Sequence, residues 1–188
     1  MQTLGVSNST PPSENRLKNL FWPTITTATD VDTLGTQGYW ICAIVAVLVL
    51  ASSILAGQPI AGALLCILYF VGGAGVREHS RFAAASVFVM FFIETVFQFG
   101  IWKLLLCLVL LSNLRATFIA SSWKSSAPES EMPMRFNDTW ADKFADKLPA
   151  LIWPKVRIVY YIFSIGYLIL TCWGLFILMR RGGVHPLR

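Results

Sequence analysis

The chain has 188 residues, of which 55% are hydrophobic and only 13% charged. A soluble domain carries about 25% charge, and a core of this size cannot hide so much apolar side chain from water, so the composition excludes a single soluble domain. The net charge of +5 does not indicate nucleic acid, which needs its cations on one water-facing surface; here they stand at the ends of apolar runs, facing headgroups.

Residues 1–38 form a polar N-terminal segment, expected to be disordered over its first 15 residues. It has no basic start followed directly by an apolar core, so no cleavable signal is expected. "LKNLFWPTI", Leu17 to Ile25, reads as a short interfacial anchor.

Residues 39–120 hold four apolar runs: Tyr39 to Gly57, Ile60 to Val76, Phe82 to Phe99 and Ile101 to Ala120. Each is near the lower limit for crossing about 30 Å of hydrocarbon. Helices are required, because isolated strands leave backbone groups unpaired in lipid. "GQP", Gly57 to Pro59, turns the first run into the second. "VREHSR", residues 76 to 81, turns the second into the third. Gly72, Gly73 and Gly75, facing Ala83, Ala84 and Ala85, are small enough for close helix approach.

Residues 121–155 form the one long water-side segment. Within it, Phe136, Trp140, Phe144 and Leu148 recur every four residues, with Asp138, Asp142 and Asp146 on a neighbouring line. That period predicts an amphipathic helix over 136–148, ended by Pro149. Its aromatic face with Lys143 and Lys147 fits the inner membrane interface; packing on the bundle or on a partner fits it equally. Residues 156–179 are a fifth apolar run, and 180–188 a basic tail.

Lys and Arg positions orient the chain. With the N-terminus cytoplasmic, five spans put eleven cations inside and four outside. A four-span arrangement, with residues 82–111 as one tilted or re-entrant element, leaves seven on each side. The five-span arrangement is preferred. Trp40, Trp102, Trp123 and Trp153 sit at run ends, as amphipathic rings at headgroup depth do.

An ionisable side chain inside a span marks function by default. Glu94 lies about 18 Å along its helix from Phe82, and Lys103 follows a short turn at similar depth. Glu94, Gln98 and Lys103 are therefore the candidate intramembrane polar site: a structural clasp first, a proton or cation path second. Arg77, Arg81 and Arg115 gather at the inner ends of spans and are candidate contacts for a lipid headgroup or anion. Asn113 and Thr117 share a helix face suited to interhelical hydrogen bonds. Adjacent side chains on a turn do not face one another, so Arg77, Glu78, His79, Ser80 and Arg81 read as a water-side turn, not a catalytic cluster. Catalytic, cofactor-binding and metal-ligating residues are not expected. His79 and His185 fall on opposite sides, which argues against a shared haem or metal. The four cysteines lie inside apolar runs and read as packing residues.

The stretches "GVREHSRFAAASVFV" and "NLRATF" resemble a motif pair of uncharacterised small bacterial multi-pass membrane proteins, over roughly residues 72 to 120. The resemblance implies a bacterial inner membrane and carries no activity. The expected fold is an all-α integral membrane helical bundle of five transmembrane helices plus one cytoplasmic interfacial helix. The expected partners are the lipid bilayer and either further copies of the chain or a larger membrane complex, with no nucleic acid. The expected role is a non-catalytic accessory or oligomeric subunit; the alternative is a small oligomeric channel or transporter using Glu94.

Overall fold

The structure, a computed structural model, describes residues 25, 28–97, 100–123 and 140–180. These form five helices: α1 (Ala28–Leu55), α2 (Pro59–Arg77), α3 (Arg81–Phe97), α4 (Ile101–Trp123) and α5 (Trp140–Arg180). The described chain is all-helical. Four helices, α1, α2, α4 and α5, are long and apolar enough to cross a membrane. The expected anchor before Ile25, Gln98, the loop and helix start over 124–139, and the tail after Arg180 lie outside the described residues.

Two boundaries differ from expectation. Residues 28–38, read as a polar segment, are the first three turns of α1. Val31, Leu34, Gly35 and Gly38 recur at three and four and are all buried. Val31 and Leu34 pack with Ile25 against Ala116 and Ala120 of α4, so polar residues on the other faces do not prevent the helix. The second difference is at Pro149. The amphipathic segment does not end there, because α5 runs unbroken for 41 residues with Pro149 and Pro154 inside it. Each proline removes one N–H, the one that would reach the carbonyl four residues back. Pro149 is itself fully buried, and packing of this kind lets spans tolerate proline.

Two turns share one device. After α1, Gly57 takes φ 73°, its N–H bonds the Ile54 carbonyl at 3.0 Å, and the Gln58 N–H bonds the Ser53 carbonyl at 2.8 Å. After α2, His79 takes φ 55°, its N–H bonds the Val76 carbonyl at 3.0 Å, and the Ser80 N–H bonds the Gly75 carbonyl at 2.9 Å. Both are Schellman caps, which satisfy the last carbonyls of a helix and reverse the chain. Glycine supplies the left-handed residue in the first, and a histidine, less at ease there, in the second.

The caps make α1, α2 and α3 antiparallel, with α2 at the centre against α1, α3 and α5. The buried glycines of α2 set its spacing. A Cβ on Gly73 would stand 2.6 Å from Cβ of Cys42 on α1. One on Gly72 would stand 2.5 Å from Val87 on α3 and 2.7 Å from the Tyr160 hydroxyl on α5. One on Gly75 would overlap Ala83 of α3 and Trp153 of α5. Trp153 therefore fills a hole made by Gly75 and is buried with Tyr160, not placed in an interfacial belt. Tyr69, Val87, Met90, Phe91, Cys107 and Leu110 complete the main core with Cys42, Val45 and Ala46.

Candidate functional site

The N-terminal ends of α1, α3 and α5 meet the C-terminal ends of α2 and α4, and polar side chains collect there. Arg77, the last residue of α2, is only 2% exposed. Its guanidinium has five N–H donors, and all are used. The Nε–H bonds Asp146 Oδ1 of α5 at 3.0 Å, and Nη2 donates to the same oxygen. Nη2 also reaches Asp32 Oδ2 of α1 at 3.3 Å. Nη1 donates to Asp32 Oδ1 at 2.5 Å and to the Asp32 carbonyl at 3.1 Å. One cation thus ties three helices together, in the fork geometry that suits arginine.

This placement corrects the view of Arg77 as a headgroup contact. Every donor is taken by protein, so none remains for a phosphate. Arg81 is exposed and lies over the Phe118 ring of α4, 5.7 Å from its centroid. Arg115 is half-buried on α4. Arg77 therefore takes no part in an anion site with Arg81 and Arg115. Asp32 and Asp146, the partners of Arg77, were not singled out from sequence. Asp32 stands in the segment read as polar, and Asp146 on the hydrophilic line of an amphipathic helix.

Asn113 sits one layer deeper. Its Nδ2 donates to the Leu34 carbonyl of α1 at 2.5 Å, and its side chain occupies the place a Cβ on Gly38 would need. Thr117 bonds the Asn113 carbonyl of its own helix at 3.0 Å, so only Asn113 bridges between helices. The Oδ1 of Asn113 and the hydroxyls of Ser112 and Tyr39 are buried with no partner among the described residues.

Near the C-terminal end of α3, Glu94 accepts a hydrogen bond from the Tyr69 hydroxyl of α2 at 2.9 Å. Lys103 of α4 lies near enough for electrostatic attraction to Glu94, and Tyr167 of α5 also lies within electrostatic reach. The structure therefore brings Glu94 and Lys103 into one neighbourhood, with Tyr69 as the direct partner. Gln98 is outside the described residues. Tyr69 was missed because an aromatic in an apolar run reads as packing; its hydroxyl is the only hint in the sequence. A third polar link joins α3 to α5, where Ser86 and Tyr160 hydroxyls are 2.7 Å apart.

The geometry defines, over the described residues, an all-helical protein with several membrane-length helices, closed at one end by a buried ionic clasp and carrying a half-buried carboxylate, Glu94, hydrogen-bonded between α3 and α2. Comparison with protein-family models, curated proteins and solved structures finds no match to this chain.

Proposed function

We propose that the chain is a five-span membrane bundle with its N-terminus in the cytoplasm, acting as a non-catalytic subunit. It joins copies of itself or a larger assembly in a bacterial inner membrane. The observation that carries the reading is the bareness of α5. Its most apolar 18-residue stretch is 11% buried, against 28% for that of α1 and 44% for those of α2 and α4. Gly166 and Gly174 on this helix have open space where a Cβ would stand. Small residues on a bare span admit another helix closely.

Other features support the finer points. α3 covers about 26 Å at 1.5 Å per residue and links opposite ends of the bundle, as a third crossing requires. Between Asp146 and Tyr160, α5 advances about 21 Å. Their partners on α2, Arg77 and Gly72, are separated by only about 8 Å along that helix. Long side chains absorb part of the mismatch; the remainder has the first turns of α5 crossing the bundle end obliquely, as an interfacial segment would. The distribution of cations and the resemblance in residues 72 to 120 support the orientation and the bacterial setting.

The test is the mass of the particle extracted in a mild detergent. A stable oligomer, or a reproducible co-purifying membrane subunit, is expected. A chain that always runs alone overturns the subunit reading.

Glu94 supports a second reading, a small oligomeric channel or transporter with a polar path through Glu94, Tyr69 and Lys103. Glu94→Gln separates the two. As a clasp, it loses a charged acceptor for Tyr69, lowering stability by about 1–2 kcal/mol with no activity to lose. As a path, it abolishes ion or solute flux into proteoliposomes while the protein remains folded.

A further inference from the structure

The outer side of the first turns of α5 combines aromatic, aliphatic and cationic side chains. Trp140, Lys143, Phe144, Lys147, Leu148 and Leu151 line a groove of about 380 Å³. Their spacing by three and four puts them on one helix face. The other face carries Ala145, Asp146, Pro149 and Trp153, all buried against the bundle. One side is clamped by Arg77 and the other is open. The groove has an aromatic floor: Trp140 and Phe144 stack with centroids 5.6 Å apart, and Trp40 of α1 stacks on Phe144 at 6.3 Å. Lys143 and Lys147, both exposed and one turn apart, stand along it. No carboxylate is among the lining residues. Further along, Ile158, Ile162 and Ile169 continue the same face, each 62% exposed or more.

We infer that this groove holds one anionic phospholipid, with its phosphate on Lys143 and Lys147 and an acyl chain along Leu148 and Leu151 towards Ile158. The inference rests on the membrane-spanning reading and adds a ligand to it. Charge complementarity selects an anion, because two ammonium groups flank an apolar trough whose described lining holds no acid. Depth selects a headgroup: the groove is level with the Asp32–Arg77–Asp146 cluster, where the bundle turns from apolar to polar. Continuity selects a lipid tail, since the trough opens onto a bare apolar stripe that leads into the span. A partner helix would meet the stripe but would bury both lysines, at a cost that a phosphate removes. Arg77 does not compete, its donors being taken by Asp32 and Asp146.

The full chain, purified in a neutral mild detergent, is mixed with micelles of equal phosphatidylglycerol and phosphatidylcholine, and retained lipid is read by native mass spectrometry. The wild type is expected to keep phosphatidylglycerol in preference. Lys143→Gln with Lys147→Gln should weaken that retention about thirtyfold, roughly fivefold per lysine. Arg157→Gln, an exposed cation off the groove, should leave it unchanged. Circular dichroism establishes that each variant keeps its helices. Equal retention of the two lipids, a double variant that binds like the wild type, loss equal to that of Arg157→Gln, or displacement by inorganic phosphate each overturns the inference. So does a double variant that changes the number of protein copies instead of lipids, which would make the groove an interface between chains. A chain that stays monodisperse with no detergent would instead refute the membrane reading, before any lipid is added.

Discussion

Arg77→Gln is expected to cost about 3–5 kcal/mol, the range for removing one member of a buried ion pair. The loss is not that of five hydrogen bonds, each worth only about 1 kcal/mol net. It comes from what is left: the Asp146 side chain, 9% exposed, and Asp32, 31% exposed, facing each other with no cation between them. The midpoint of unfolding in detergent, by heat or by added dodecyl sulfate, measures it. Replacing Asp146 with Asn removes one charge from a 2:1 cluster and leaves Arg77 with Asp32, so a smaller loss is expected. Arg77→Lys should recover little, because a single ammonium cannot reach across both carboxylates as the guanidinium fork does. An Arg77→Gln protein as stable as the wild type would show that the clasp contributes nothing to folding.

Gly75→Val is the second large effect. Valine replaces a glycine in the last turn of α2, which by propensity alone gains less than 1 kcal/mol. Against that, the new Cβ overlaps both Ala83 and the Trp153 indole. Neither yields cheaply, since the Ala83 methyl is fixed to the α3 backbone and Trp153 is enclosed by Tyr160 and Tyr161. Overpacking costs of about 1–3 kcal/mol are usual, and displacement of two helices at once puts this variant at or above the upper end. Gly166→Ala supplies the contrast within one molecule. Nothing in the same chain stands within 4 Å of its Cβ, so in the dissociated single chain the propensity gain of up to about 1 kcal/mol is unopposed. Both are read from the same detergent unfolding curves, and opposite signs are expected.

Much of the architecture is legible in the sequence because lipid leaves the backbone few options. Runs beginning at Ile60, Phe82 and Ile101 become α2, α3 and α4 with starts within a residue of the runs. The glycines at 72, 73 and 75 declare close packing, though not against which helix. What fails is whatever depends on partners distant in the chain. Arg77 looks like a solvated turn charge until Asp32, 45 residues earlier, and Asp146, 69 residues later, are seen around it. The same applies to Tyr69 and Glu94, 25 residues apart. Residues 28–38 mislead because their few apolar side chains bury one narrow face, and a polar majority hides a helix of correct period. Pro149 misleads in the other direction: a helix breaker by local rules, it is held within α5 by burial against its neighbours.

The third helix has a consequence for the surrounding bilayer. Its 17 residues cover about 26 Å, whereas the 28 of α1 cover about 42 Å. On the proposed five-span reading, α3 falls short of about 30 Å of hydrocarbon, and the apolar belt would be low on the flank where Phe92, Val96 and Phe97 are exposed. Mismatch of this kind costs a fraction of a kcal/mol per Å and is relieved by local thinning. On that reading the low flank would favour short acyl chains, and membrane thickness would become a variable that orients the protein among its neighbours and draws it towards thinner regions.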